Sequence, residues 1–500
     1  MSTLRIAVEG CCHGELDTIY QTLQDMELRE GKKVDLLLIC GDFQSVERRE
    51  DLESMHVPNK YKVLGTFYKY VTGEKKAFVP TIFIGGNHEA SNILQSLYYG
   101  GYVAPNIYFL GFAGVVNFRG LRISGVGGLH DEGTFKSGHF ERPPYDHHAL
   151  KSVYYTRELE IYRMALLSVP LSDTPTVVKP LDVVMSHEWP SFIWNYGNRV
   201  NLLKEKPFFE TDMASGRLGS IHLMNLLHIL KPSFWFCAHL HCKFAAIVPW
   251  ATLSPAAGGE KTEGGARPPP PPLPPPAAST DIPLCSSAVS SSKCTRFLSL
   301  DKVLPGRDFL QIIEVEVDKG DDEKGGGEKE ESEEKEGSAE HTDEDGLEEE
   351  RCGDIEFDAH WMCILQKTHN YLTTNRGGVP IPSYQTILMS ESNGARHINI
   401  SNQDIEDMKA AIRTKNNNSL IIPNVEPVLS EGSGSAVPVL REQYQCFKGN
   451  VQTDKMCDIL GINHVFTTPY IATTTTAAAA TTTATKTAAV DENELDIDDL

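Results

Sequence analysis

Five short stretches concentrate the side chains that hold metal ions: Cys11-Cys12-His13, Gly41-Asp42, Gly86-Asn87-His88-Glu89, Ser186-His187-Glu188 and Ala238-His239-Leu240-His241. Together they supply imidazoles, a carboxylate, an amide and a thiol. That donor mixture suits two divalent transition metals joined by one shared carboxylate. Such a pair, about 3.5–4 Å across, steadies the attacking and leaving oxygens of a displacement at phosphorus. It also lowers the pKa of a bound water toward neutrality. A disulfide between Cys11 and Cys12 is not expected, because adjacent cysteines strain the peptide between them.

Ligands need rigid supports, and each stretch follows a short apolar run. The runs are Leu4–Val8, Leu36–Cys40, Thr81–Gly85, Leu181–Met185 and Ser233–Cys237. They read as strands ending in polar groups, with helices expected over Leu16–Met26, Ser91–Tyr99, Thr156–Leu167 and Arg217–Leu230. This alternation is the α/β pattern. Val115–Gly127, with Arg119-Gly120 at its middle, reads as a β-hairpin. Residues 1–250 thus form one globular unit. Residues 251–294 are a proline-rich insertion, with unbroken proline runs at 268–272 and 274–276. A small α+β piece is expected from 295–317 plus 352–400, with alternating apolar residues in Phe309–Val317 and a helical pattern in Ile355–Tyr371. Between its halves lies an acidic insertion, 318–351, expected to be disordered. Residues 401–500 are mostly polar and read as a mostly disordered tail, including a Thr/Ala run at 473–489.

The formal charge is −22, but its distribution matters more than its sum. Residues 318–350 hold 17 acidic and 4 basic residues, and 491–499 hold six more acidic ones. The folded part is therefore nearly neutral, and a polyanionic substrate is not excluded. Eleven cysteines without a regular framework fit a reducing compartment. No apolar run is long enough to span a bilayer, and the first residues lack a signal peptide's basic start and apolar centre. The expectation is a soluble intracellular protein with no membrane partner.

In order, the donor stretches resemble Asp-x-His, Gly-Asp, Gly-Asn-His-Glu, His and Gly-His-x-His of the calcineurin-like metallophosphoesterases. Two positions depart: Cys11 stands where that family has Asp, and Ala238 where it usually has Gly. The Cys-Cys-His-Gly-Glu-Leu opening and Ser-His-Glu-Trp-Pro at 186–190 are similar to one family within that group, the RNA lariat debranching enzymes. The likeness is strong over 1–250, weaker over 295–317 and 355–373, and faint at Gln452–Ile462. It implies a four-layer β-sandwich flanked by helices, with a small C-terminal α+β extension. It implies two divalent metals per chain: Fe2+, Zn2+ or Mn2+. Asp42 would bridge them, His13 and His241 would complete one pocket beside Cys11, and Asn87, His187 and His239 the other. Cys11 reads equally as a thiolate ligand and as a small buried residue. His88 would protonate the leaving oxygen or hold the phosphate, and Glu89 would orient His88 from behind.

The implied reaction is hydrolysis of the 2′–5′ phosphodiester at the branch of an excised intron lariat, by water activated at the metals. The substrate would place the protein in the nucleus, in the company of splicing or intron-turnover proteins. Residues 127–157 form a long basic and aromatic segment, matching the resemblance's lariat-recognition loop. Lys136, His139, Arg142, Tyr145 and His148 are its candidate RNA contacts, with Tyr68 and Lys69 as a second patch. Trp189, Trp194 and Tyr196 read either as cleft lining or as core. His222 and His228 read as packing or surface residues. Two other readings stay open: another phosphoesterase of this fold, or a non-catalytic scaffold using the proline-rich and acidic segments.

Overall fold

The computed structural model describes residues 2–173, 179–250, 294–317, 355–389, 398–426 and 450–467. The proline runs, the acidic run and the Thr/Ala run lie outside these residues.

Strand β1 (Ser2–Glu9) shows how the sandwich is built. Its side chains alternate between two cores: Leu4, Ile6 and Val8 face one, Ala7 the other. The neighbouring β2 (Leu36–Ile39) splits the same way, Leu36 and Leu38 against Leu37 and Ile39. A strand buried on both faces is mainly apolar; the buried exceptions in β1 are Arg5, paired with Glu30, and Glu9 at the strand end. The first sheet has six strands in the order β12-β1-β2-β3-β5-β4. Here β3 is Thr81–Phe83, β4 Gly101–Ala104, β5 Ile107–Phe109 and β12 Leu310–Val317. The second has seven, β10-β11-β9-β8-β7-β6-β13. Its members are β6 (Ala113–Phe118), β7 (Leu121–Val126), β8 (Val183–Ser186), β9 (Phe234–Cys237), β10 (Phe244–Pro249), β11 (Cys294–Ser299) and β13 (Ile355–Phe357). The β6–β7 hairpin turns through Arg119 and Gly120, both at positive φ (47° and 84°), the backbone a tight two-residue loop demands.

Helices close both outer faces, giving four layers. On the first sheet lie α1 (Leu16–Glu30), α2 (Tyr68–Val71) and α3 (Ser91–Ser96). In α1 the residues Leu16, Ile19, Tyr20, Leu23 and Glu27 share the buried face, and Gly31 ends the helix in the left-handed region. Chain order continues with α4 (His147–Ser152), α5 (Glu158–Leu166), α6 (Arg199–Glu205), α7 (Phe209–Ser215) and α8 (Ile221–Leu230). Helix α5 packs on the second sheet, where Ser124 of β7 reaches Sδ of Met164 at 3.6 Å.

The C-terminal part is woven into this sandwich. Strand β11 enters between β9 and β10, and β12 pairs antiparallel with β1 from Ser2↔Val317 to Glu9↔Leu310. Helix α9 (Ala359–Lys367) is buried along almost its whole length. Its N-cap Asp358 also takes the Arg122 guanidinium, at 2.7 Å, in a buried ion pair. Short α10 (Gln385–Met389) follows. The expectation of a disordered tail fails over two stretches, α11 (Asn402–Lys415) and α12 (Val451–Leu460). Met408 and Ile412 are buried on α11, and Met456, Ile459 and Leu460 on α12. The Gln452 amide completes a backbone pair with Tyr102, accepting its N–H and donating to its C=O, both at 2.8 Å. Apolar residues so sparse give no strong periodic signal, yet each buried one contributes about 1.5–3 kcal/mol once a docking surface exists.

Candidate metal centre

The donor stretches lie just beyond the C-terminal ends of β1, β2, β3, β8 and β9. Adjacent pairs among these strands run parallel within each sheet, so their ends gather at one edge of the sandwich. The turns there are tightly wound. His13, Asp42, Gln44, His239 and His241 all hold positive φ, between 45° and 65°. Each such residue costs about 1–3 kcal/mol, and such strain is typical of functional sites. Glycine is required twice. A Cβ on Gly41 would collide with the His187 ring, and one on Gly86 with the Asp42 carboxylate.

Asp42, almost fully buried, stands at the centre. Its Oδ1 is 3.4 Å from Nε2 of His187. Its Oδ2 is 3.7 Å from Nε2 of His13 and 3.8 Å from Nδ1 of His88. His13 and His241 bring their Nε2 atoms to 3.1 Å of each other. On the other side Asn87 Oδ1 is 3.0 Å from Nε2 of His187, and the His239 ring lies 5.1 Å from the His187 ring. Donor atoms of Cys11, His13, Asp42 and His241 all fall within 4.8 Å of one another. These spacings approximate the edges of coordination polyhedra with bonds of roughly 2.0–2.3 Å. The residues therefore fit divalent metal ions, and Asp42 offers one oxygen to each donor set.

Backbone partners fix the ligands. Nδ1 of His187 is hydrogen-bonded to the Cys40 carbonyl at 2.9 Å, leaving Nε2 toward Asp42. The backbone N–H of His88 donates to Asp42 Oδ1 at 2.8 Å. Sγ of Cys11 accepts the N–H of His239 at 3.1 Å. Burial opposes ionisation of Asp42, but His187, His88 and His13 outweigh it and hold the carboxyl well below its usual range. Burial, then His187, push His239 down to about 3, so its imidazole is neutral, the ligand form. Burial and Asp42 push the Cys11 thiol well up when no cation faces it.

Glu89 departs from the expectation that it orients the His88 ring. Its carboxylate accepts the backbone N–H groups of Phe43, Gln44 and Gly86, each at 2.9 Å. It thereby ties the Asp42 turn to the Asn87 turn. Sequence spacing could not separate these roles, since both place a buried carboxylate beside the ligands. Gln44, unremarked in the sequence, approaches Nδ1 of His13 at 3.5 Å.

Residues 127–157 are anchored at the rim of this centre. The N–H of Gly128 donates to the Gly85 carbonyl at 2.9 Å, and that of His130 to Glu188 at 2.8 Å. This long basic and aromatic segment carries α4 and a buried ion pair, Arg157 to Glu141, at 2.6 Å. His139 is corrected from RNA contact to structural residue. It is 2% exposed, flanked by Tyr98 and Phe112, and 3.0 Å from Glu160. Arg142 is half-buried and donates to the carbonyls of His139 and Glu141. Tyr145 donates to Gln95 at 2.8 Å, and Lys69 pairs with Asp17 at 3.7 Å. Lys136 and His148 are exposed, and Tyr68 is half-buried. His56, missed in the sequence, meets the Tyr154 hydroxyl at 3.3 Å. Trp189 and Trp194 belong to the core, Trp189 donating to the Ala238 carbonyl at 3.0 Å. Tyr196 is partly buried against that core.

Comparison with known proteins agrees with this geometry. Residues 4–243 match the family described as calcineurin-like phosphoesterase. Residues 292–465 match the C-terminal domain of lariat debranching enzyme. A lariat debranching enzyme of Danio rerio is 37% identical over 463 residues, covering 93% of this chain and 67% of that one. One of Drosophila pseudoobscura pseudoobscura is 45% identical over 390 residues, 78% of this chain and 64% of that one. One of Homo sapiens is 46% identical over 315 residues, 63% of this chain and 50% of that one. The chain thus spans between half and about two thirds of the length of these relatives.

Proposed function

Because this chain belongs to the lariat debranching enzyme family of calcineurin-like phosphoesterases, we propose that it hydrolyses the 2′–5′ phosphodiester at the branch point of excised intron lariats. The observation that carries this reading is the divided commitment of Asp42, one oxygen toward His187 and the other toward His13 and His88.

Two divalent ions, Fe2+, Zn2+ or Mn2+, suit the two donor sets. When bound, they supply Lewis acidity toward the phosphoryl oxygens and water acidified toward neutrality. The chain's own groups divide the remaining work. Asp42 and the neutral imidazoles fix the donor geometry. Glu89 holds the two turns that carry Asp42 and Asn87 in register. His88, whose side chain is 13% exposed, lies with its ring 5.5 Å from that of His13 and its Nδ1 3.8 Å from Asp42. It delivers a proton to the departing 2′-oxygen. Lys136 neutralises phosphates of the flanking strands, His148 hydrogen-bonds them, and Tyr68 offers a ring face to an unstacked base. Intron lariats arise in the nucleus, so we place the protein there, alongside splicing or intron-turnover factors.

The test is cleavage of synthetic branched RNA by the metal-stripped protein, with Mn2+, Zn2+ or Fe2+ restored one at a time. Cutting at the branch with linear 3′–5′ RNA spared is the expected result. Equal rates on both substrates would sink the proposal. So would rapid hydrolysis of a chromogenic phosphodiester with branched RNA untouched.

A further inference from the structure

A second donor cluster lies outside the centre just described. His130, Glu132 and His222 hold one ligand atom each within 4.8 Å of one another. His130 and Glu132 belong to the 127–157 segment, and His222 to the first turn of α8. The Nε2 of His130 is 3.4 Å from Oε2 of Glu132. That equals the edge of a tetrahedron with bonds of roughly 2.0–2.1 Å, the Zn–N and Zn–O lengths.

The rings are held in place. His130 and His222 have centroids 4.6 Å apart, and Phe135 stacks on His222 at 3.9 Å. Nδ1 of His222 is 2.5 Å from the Tyr384 hydroxyl, the kind of outer hydrogen bond that orients a ligating imidazole. The N–H of His130 is fixed by Glu188 at 2.8 Å. Nδ1 of His130 is buried and has no hydrogen-bond partner. The Phe135 stack and the Tyr384 hydroxyl seat His222, and with the His130–Glu132 pair they bring three donors to one point. Burial lowers the pKa of both imidazoles, His222 to about 4, so each carries a lone pair at neutral pH. Oδ1 of Asp131 accepts the hydroxyl and the N–H of Thr134 at 2.7 and 2.9 Å, so the donor set is two imidazoles and the Glu132 carboxylate.

We propose that His130, Glu132 and His222 form a third metal site, selective for Zn2+ and its tetrahedral analogues, which clips the 127–157 segment to α8. Two nitrogens and one carboxylate favour Zn2+ or Co2+ over Mg2+ or Ca2+, which require oxygen donors. The ion joins a segment beside the His187-bearing strand end to a helix of the outer layer.

The experiment compares three full-length proteins: wild type, Glu132→Gln and His222→Ala. Each is stripped with chelator, titrated with Co2+, and read by bound equivalents and by the visible band of tetrahedral Co2+. Wild type is expected to bind one equivalent more than either variant. Zn2+ should slow proteolysis within 128–146 in wild type only. Glu132 is 88% exposed at its side chain, so Glu132→Gln keeps the fold even where His222→Ala does not. Equal stoichiometry in wild type and Glu132→Gln would overturn the proposal. A defect at the catalytic centre lowers all three counts together and is distinguishable on that ground.

Discussion

The backbone N–H of His239 donates to Sγ of Cys11 at 3.1 Å, joining two residues 228 positions apart at the floor of the donor cluster. The sulfur is fully buried and within 4.8 Å of donor atoms on His13, Asp42 and His241. Geometry therefore admits it as a ligand. Cys11→Ser should weaken metal retention at least as much as the roughly 10–100-fold lost with an outer partner. Dialysis against graded chelator measures this. If the thiolate is the oxidant-sensitive group, Cys11→Asp should also survive peroxide that inactivates wild type. Unchanged retention in Cys11→Ser would leave the cysteine a packing residue.

Asp42→Ala removes the carboxylate that both donor sets face. It should abolish cleavage of branched RNA and lower the metal content of the purified protein. Full metal content with lost activity would show that the two sets hold ions without sharing Asp42.

His88→Ala should lower the single-turnover rate by about 10²–10⁴ while bound metal stays constant. The ring nitrogen facing Asp42 is 3.8 Å away, and the backbone N–H, retained in alanine, still anchors the turn. Loss of the metals in this variant would make His88 a ligand support instead.

Glu89→Ala leaves the amides of Phe43, Gln44 and Gly86 buried without an acceptor. Each costs about 1–3 kcal/mol, so the variant should unfold at markedly lower urea. An unchanged midpoint would mean that water replaces the carboxylate.

Stability should fall in acid through Glu160. Burial opposes its charge, but His139, Tyr98 and Arg163 outweigh it and bring the carboxyl down from 4.5 to about 2. The folded value is the lower one, so the contribution is complete above pH 4.5 and lost as pH falls through about 2. At neutral pH it amounts to about 3 kcal/mol. The stability difference between wild type and Glu160→Gln should shrink by about 2 kcal/mol between pH 6 and pH 3. Urea unfolding at both values checks it, and a pH-independent difference would refute it.

The donor residues were legible because each cluster follows a short, mainly apolar strand, so its polar groups stand out at the strand's end. The roles of some neighbours were not. His139 looked like a loop histidine available to RNA, and Glu89 like a partner of His88. Their true partners, Glu160 and three backbone amides, follow from folding of the chain, not from nearby spacing.

The sequence by itself determined the α/β alternation, the Arg119-Gly120 turn and the residue types of the metal centre, all set by local periodicity and composition. Only the tertiary structure decided that β11 and β12 complete both sheets, that α11 and α12 dock on α9 and on each other, and that Asp42 faces two donor sets. It alone brought His222 to His130 and Glu132. Those outcomes depend on contacts between residues tens to hundreds of positions apart. The energy of such contacts exists only once the surfaces that make them have formed.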